Sequence, residues 1–86
     1  MQKIVFGARF YDLGLKELSA KLYLEAYKLD EAEQKINFLF DNAHDNLTIT
    51  RALILKSDLL NRRNNYREAL QATQEAAEQT SVVKIP

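Results

Sequence analysis

The chain has 86 residues, and 47% of them are hydrophobic, which suits one small domain and leaves too little for two. Twelve Lys and Arg residues balance twelve Asp and Glu residues, so the chain lacks the excess charge typical of proteins that bind nucleic acids or anionic membranes. Cysteine is absent, which excludes disulfides, a Cys-based zinc site and a thiol nucleophile. The sequence shows no leader pattern and no run of about 20 apolar residues, so we expect a soluble, cytoplasmic protein without a membrane span.

Apolar residues in the first third of the chain recur at steps of three and four residues, which is the pattern of amphipathic helices. The first such stripe consists of Ile4, Ala8, Tyr11 and Leu15, and the second consists of Leu18, Leu22, Ala26 and Leu29. We expect the first helix to end near Gly14 and the second to begin at Lys16. The pattern therefore predicts a helical hairpin over about residues 2–29.

Two interpretations are open for the insert that follows, residues 30–45. Asp30 followed by Glu33 has the spacing of a helix N-cap and its capping-box partner, and the apolar residues after them keep a helical period. The insert is therefore either a separate short helix or a continuation of the preceding one. Residues 41–46, with the sequence DNAHDN, predict a break in the chain because their side chains compete for backbone hydrogen bonds.

The remaining sequence predicts a second helical hairpin over about residues 46–79. One helix is expected to run up to Arg62, and a turn is expected at Asn64, because asparagine tolerates a left-handed backbone. The last helix, rich in Ala, Glu and Gln, is expected to end near Gln79. The tail, residues 80–86, is β-prone, and we expect it to be irregular.

A shift of 50 residues along the chain pairs small residues with small residues and one predicted turn with the other. The aligned pairs are Gly7 with Ser57, Phe10 with Leu60, Gly14 with Asn64, Ser19 with Ala69, and Ala26 with Ala76. In this register, and above all in the segment SDLLNRRNNYREALQATQEA, the chain resembles the tetratricopeptide repeat family, whose unit is a pair of antiparallel helices. The resemblance implies an all-α fold of two such hairpins joined by an irregular or helical insert.

The resemblance also implies where the helices of each hairpin cross. Close approach of two helix axes requires small side chains, and these fall on Gly7, Ser19, Ala26, Ser57, Ala69 and Ala76. The sequence departs from the family at Thr73, where Phe or Tyr is common, and in its period, which exceeds the family's roughly 34 residues by the length of the insert.

A ligand-binding concave face is implied by the same resemblance. The residues that fall on it are Ile4, Ala8, Tyr11 and Asp12 in the first unit, and Arg51, Ile54, Asp58, Asn61 and Arg62 in the second. A surface of this kind suits an amphipathic helix or an extended segment of another protein, whose apolar residues bury against Ile4, Tyr11 and Ile54. The alternative is that these residues pack against the insert or against a second copy of the chain.

The sequence offers no constellation for catalysis or for metal binding. His44 is the only histidine, and Asp41 and Asp45 near it do not complete a set of ligands at metal-binding spacing. No serine has a histidine placed beside it by the local sequence, and no phosphate-binding glycine loop is present. We therefore expect neither an enzyme nor a cofactor.

A group of arginines is the best candidate for contact with nucleic acid. Arg62 and Arg63 are adjacent, with Arg51 and Arg67 nearby, but Asp58 lies one helical turn from Arg62 and can pair with it. Together with the balanced net charge, this pairing favours solvated helix ends over a nucleic-acid site.

Large apolar residues exceed what one small two-hairpin core can hide, which predicts association with another protein or with a second copy. These residues are Phe6, Phe38, Phe40, Val82, Val83 and Ile85. The favoured function is a small chaperone or adaptor that shields a helical partner, similar to the short tetratricopeptide-like chaperones of bacterial type III secretion, including those of the needle subunit. The alternatives are a structural subunit or repeat fragment of a larger assembly, such as the anaphase-promoting complex, and a nucleic-acid-binding regulator.

Overall fold

The chain folds into four helices in a computed structural model that describes residues 2–83, with the side chains of residues 12–79. The helices are α1 (Gln2–Glu25), α2 (Leu29–Asn42), α3 (Asn46–Arg62) and α4 (Tyr66–Val83). No strand occurs in the part of the chain that the structure describes, so the predicted all-α class is confirmed. The helices form a flat body with principal extents of 45 × 38 × 17 Å.

The predicted break at Gly14 is wrong, because α1 continues through this residue to Glu25. The φ angle of Gly14 is not positive, and nothing lies within 4 Å of a Cβ atom built on it. A glycine inside a helix costs only about 1 kcal/mol relative to alanine, so one exposed glycine does not end an otherwise favourable helix. The hairpin predicted over residues 2–29 is therefore a single helix and the turn that follows it.

The insert forms a separate helix, α2, which is one of the two interpretations left open by the sequence. Asp30 does not cap it, because the N-cap residue is Lys28, whose side chain makes no capping hydrogen bond. Asp30 and Glu33 instead accept hydrogen bonds from Arg63. The predicted break within DNAHDN is confirmed, since α2 ends at Asn42 and α3 begins at Asn46.

The amino terminus of α3 is capped by Asp45, whose Oδ2 atom accepts a hydrogen bond of 3.0 Å from the backbone N–H of Thr48. At the other end of the second hairpin, α4 continues to Val83, beyond its expected end near Gln79. The predicted irregular tail is therefore wrong for the residues up to Val83, and the last three residues lie outside the described part of the chain.

Two helical hairpins are present, but the first one differs from the prediction. We call α1 with α2 the first hairpin and α3 with α4 the second hairpin; within each, the two helices pack against each other. Their turns are alike: Tyr27 has a φ of 58° and Asn64 a φ of 65°, and these two residues lie 37 positions apart. The left-handed turn predicted at Asn64 is confirmed, whereas that at Tyr27 was not predicted.

The backbone hydrogen bonds of the two turns correspond one to one at this spacing. Lys28 N–H donates to the carbonyl of Tyr23, and Asn65 N–H donates to that of Leu60, both at 2.8 Å. In each turn the left-handed residue also donates to the carbonyl three residues before it, at 3.0 Å. This pair of bonds is the Schellman arrangement, which satisfies carbonyls at the end of a helix. The hairpins therefore repeat at 37 residues, and the predicted shift of 50 is wrong.

Small residues lie at the helix crossings in this new register. Ala20 and Ala32 are fully buried between α1 and α2, and their counterparts 37 residues later are Ser57 and Ala69. Ser57 Oγ donates to the carbonyl of Ala69 at 3.1 Å and lies 2.8 Å from Thr73 Oγ1. The departure from the family pattern at Thr73 thus leaves room for a hydroxyl contact between α3 and α4.

The six predicted crossing positions divide by hairpin. In the second hairpin Ala69 and Ala76 are buried, and Ser57 is partly buried against α4. In the first hairpin Ala26 is exposed in the turn and Ser19 is only partly buried, so the prediction is wrong for Ala26. Gly7 lies outside the residues whose burial the structure describes. In the described part of α4 the buried residues are all alanine: Ala69, Ala72 and Ala76.

The core joins the first hairpin to α3. A cluster of Ala20, Leu24, Ala32 and Ile36 receives Leu59, and it is surrounded by the partly buried Tyr23, Leu29, Phe40 and Leu55. Because Leu55 and Leu59 lie on α3, this cluster fixes the position of the second hairpin on the first.

Replacing Asp45 tests the cap of α3. Asp45→Ala removes the side-chain acceptor and should lower the free energy of unfolding by about 1 kcal/mol, the usual cost of losing an N-cap. Asp45→Asn keeps an acceptor and is the matched control. Urea unfolding followed by circular dichroism measures both, and equal stability of Asp45→Ala and the unaltered chain would contradict the cap.

The difference in stability between the unaltered chain and the Asp45 variants should depend on pH. Hydrogen bonds from Thr48 lower the pKa of Asp45 below its ordinary value. Because the folded-state pKa lies below that of the unfolded chain, the stabilisation is complete above the unfolded-state pKa and is lost as the pH falls through the folded-state pKa. The stability advantage of the unaltered chain over Asp45→Asn should therefore shrink in acid.

Replacing Ala32 tests the 37-residue register. Ala32→Leu forces a larger side chain into the crossing of α1 and α2 and should destabilise the fold by about 1–3 kcal/mol. Gln34→Leu places the same side chain at an exposed position of α2 and should have little effect. Urea unfolding compares the two variants; similar stabilities would show that Ala32 does not lie at a close crossing.

Candidate protein-binding groove

A groove of about 230 Å³ runs between α1 and α3. The residues that line it are Glu17, Lys21 and Glu25 on α1, and Arg51, Ile54, Leu55 and Asp58 on α3. Each hairpin reverses the chain direction, so α1 and α3 run the same way and their side chains face each other along the groove. The ion pair between Arg51 Nε and Glu17 Oε1, at 3.6 Å, spans this gap.

The structure brings together three of the nine residues predicted to contact a partner. Arg51, Ile54 and Asp58 line the groove. Asn61, one heptad after Ile54, is exposed on the same face of α3, and Asp12 is exposed on α1, but neither lines the groove. The side chains of Ile4, Ala8 and Tyr11 lie outside the described residues, and their predicted role stays a prediction.

The α1 side of the groove was not predicted from the sequence. Glu17, Lys21 and Glu25 lie four residues apart, which places them on one face of a helix. The predicted break at Gly14 assigned them to the second helix of a hairpin, away from the binding face. Their alternating charges at helical spacing were the available signal for a solvent-facing helix surface.

An exposed isoleucine with charged neighbours gives the groove its chemistry. Ile54 is 56% exposed, although apolar side chains of this size gain free energy from burial. Three carboxylates and two basic groups share the groove lining with Ile54 and Leu55. An apolar centre with a polar, mixed-charge rim is the composition of protein–protein interfaces.

Arg62, the ninth predicted residue, ties the two hairpins together. Its Nε donates to Asp58 Oδ1 and its Nη1 donates to the backbone carbonyl of Leu24, both at 2.8 Å. The guanidinium also lies 5.0 Å from the ring centre of Tyr27, within the range of a cation–π contact. Since Leu24 lies in the last turn of α1, the positive charge of Arg62 is placed at the negative end of the helix dipole.

The hydrogen bond that Arg62 donates to Asp58 raises the pKa of Arg62 above its ordinary value, so the positive charge between the hairpins persists across the accessible pH range. Arg62 thus acts within the chain, between α3 and the end of α1.

The other arginines of the predicted nucleic-acid cluster are also paired with carboxylates, apart from Arg67. Arg63 Nη1 donates to Glu33 Oε1 at 2.9 Å, and Nη2 donates to Asp30 Oδ1 at 2.8 Å. Arg51 pairs with Glu17 across the groove. These contacts place carboxylates beside the positive charges that a phosphate backbone would need.

The predicted surplus of exposed large apolar residues is wrong at Phe38 and Phe40, which are partly buried. Lys16 Nζ lies 5.1 Å from the ring centre of Phe38, and Lys56 Nζ lies 5.7 Å from that of Phe40. Among residues 12–79, the exposed large apolar residues are Leu15, Leu18, Leu22, Tyr27, Leu47, Ile54, Tyr66 and Leu70. The other four residues of the predicted surplus, Phe6, Val82, Val83 and Ile85, have side chains outside the described part.

Neither a metal site nor a membrane span is found in the described residues. No three His, Asp or Glu side chains there come together in a way that could hold a metal ion. None of the described helices has the length and apolar character needed to cross a bilayer. His44 is exposed in the loop between α2 and α3.

Comparisons with protein-family models, with curated proteins and with solved structures found no match to this chain. The resemblance to tetratricopeptide repeats therefore rests on the residues of the chain alone.

Alanine substitutions of Arg62 and Arg51 test whether Arg62 holds the two hairpins together. Arg62→Ala removes the bond to the Leu24 carbonyl and the contact with Tyr27, and it should lower the urea midpoint clearly. Arg51→Ala removes one long, exposed ion pair and should change the midpoint little. If both substitutions lowered the midpoint equally, the joint would not depend on Arg62.

Proposed function

We propose that this protein is a protein-binding module that holds a helical or extended segment of another protein in the groove between α1 and α3. The observation that carries the proposal is the exposure of Ile54 among charged side chains of both helices. A partner that buries one or two apolar side chains against Ile54 and Leu55 removes apolar surface from water. Its charged residues then meet the carboxylates and basic groups of the rim.

The size of the groove limits what it binds. About 230 Å³ is below the usual range of pockets for small organic ligands and fits a few side chains of a polypeptide. An amphipathic helix presents its apolar residues at steps of three and four, so one turn fills the centre while its flanks lie along the rim. This mode of binding suits a chaperone or adaptor that shields a helical partner.

The more specific proposal is a small chaperone of the kind found in bacterial type III secretion. It follows from the resemblance of the segment LLNRRNNYREAL to such proteins, and it predicts a short secreted subunit as the partner. The structure supports binding to a protein over binding to nucleic acid, because Arg51, Arg62 and Arg63 are each paired with a carboxylate.

Site-specific crosslinking in the native cell tests the proposal. A photo-reactive phenylalanine analogue at Ile54 should crosslink a partner, which mass spectrometry then identifies. The same analogue at Gln34, exposed on α2 away from the groove, is the matched control. Purified partner should bind Ile54→Asp at least tenfold more weakly than Gln34→Asp, because a charge at the centre of the groove opposes burial.

Two results would contradict this function. One is crosslinking of the same proteins in equal yield from Ile54 and Gln34. The other is undiminished affinity of the crosslinked partner for Ile54→Asp. Identification of a short secreted helical protein would support the chaperone proposal, whereas a large multisubunit complex would favour the role of a structural subunit.

A further inference from the structure

The two hairpins are the same structural unit repeated at 37 residues, so the joint between them shows how another hairpin docks. Leu55 and Leu59 of α3 pack onto the core of the first hairpin. Ala52, one heptad before Leu59, is fully buried on the same face. These three residues form the stripe through which α3 docks.

The counterparts of this stripe on α1 are exposed. The residues 37 positions before Ala52, Leu55 and Leu59 are Leu15, Leu18 and Leu22. We call these three leucines the α1 face. Their exposed fractions are 55%, 53% and 58%, and the face lies on the side of α1 opposite the buried Ala20 and Leu24. The first hairpin therefore carries a docking stripe at least as apolar as that of α3 and presents it to solvent.

The positions equivalent to the receiving surface lie on α4, at the other end of the molecule. On α2, Leu29, Ile36 and Phe40 belong to the core onto which Leu55 and Leu59 pack. Their counterparts on α4 are Tyr66, Thr73 and Ala77, and together with Leu70 these residues form what we call the α4 face. All four are exposed, Tyr66 by 63% and Leu70 by 60%.

The ion pairs between the two hairpins are not repeated at the open ends of the molecule. Inside the chain, Arg63 pairs with Glu33 and with Asp30. At the open ends, Ala26 stands in the position of Arg63, and Leu70 stands in that of Glu33, so the ion pair becomes an apolar pair.

Arg67 stands in the position of Asp30, and Glu25 stands in that of Arg62. Both Arg67 and Glu25 are exposed. Because Asp30 pairs with Arg63 and Arg62 pairs with Asp58, the repeat does not predict an ion pair between Arg67 and Glu25.

We propose that a second copy of this chain is the occupant of these surfaces, and that the α1 face of one copy docks on the α4 face of another. Such a contact is head to tail, because it joins two different surfaces, and it leaves one free face at each end of the assembly. The joint is small and lacks the covalent link that holds the internal hairpins together, so association depends on protein concentration. The proposal does not rest on the groove, which Leu18 and Leu70 do not line.

Complementation of two variants tests the head-to-tail contact. Leu18→Glu disables the α1 face and Leu70→Glu disables the α4 face. In analytical ultracentrifugation over a concentration series, the unaltered chain should increase in mass, and each variant alone should remain a monomer. An equimolar mixture of the two variants should form a one-to-one complex with twice the monomer mass, since each supplies the face that the other lacks.

Both substitutions lie at exposed positions, and circular dichroism with urea unfolding checks that the variants fold. Gln34→Glu, which adds the same charge at another exposed position, should associate as the unaltered chain does. The proposal is overturned if the unaltered chain stays monomeric at every concentration. It is also overturned if Leu70→Glu associates normally and mixing rescues nothing, which would show that α1 faces pair with each other.

Discussion

The packing of Leu59 into the cluster of the first hairpin is the contact on which the rest of the structure depends. Ala20 and Ala32 are small enough for α1 and α2 to approach closely, and this approach leaves Leu24 and Ile36 to receive Leu59 from α3. The hydrophobic contact sets the distance between the hairpins. The hydrogen bond from Arg62 to the Leu24 carbonyl fixes their relative orientation. The width of the groove between α1 and α3 follows from this joint.

The start, the turn and the crossing of the second hairpin could be predicted because the sequence carries a local signal for each. Asn64 adopts the left-handed backbone that asparagine tolerates, DNAHDN breaks the chain where its side chains compete for backbone hydrogen bonds, and Ala69 and Ala76 lie buried where the resemblance placed them. The α3 half of the groove was found with it, since Arg51, Ile54 and Asp58 lie on one exposed side of a correctly predicted helix.

The first hairpin could not be predicted from local signals, because its turn has none. Tyr27 takes the left-handed conformation that Gly or Asn usually takes, and the contact of its ring with Arg62, thirty-five residues later, is a tertiary one. Gly14 wrongly indicated a helix end, because an exposed glycine weakens a helix without ending it. Because the turn was placed at Gly14, the groove residues of α1 were assigned to the wrong helix. One misplaced helix boundary therefore changes which residues are predicted to face the groove.

The alanine packing of α4 has a consequence for how the protein opens. The residues that α4 buries within its described part are all alanine, whereas α2 buries Ile36 and Leu39. A methyl group removes little apolar area from water, so these three alanines hold the described part of α4 less strongly than Ile36 and Leu39 hold α2. Its amide hydrogens should exchange with solvent through a local opening that costs less free energy than global unfolding. Proteases cleave such open segments, so the lifetime of the protein in the cell depends on what covers α4.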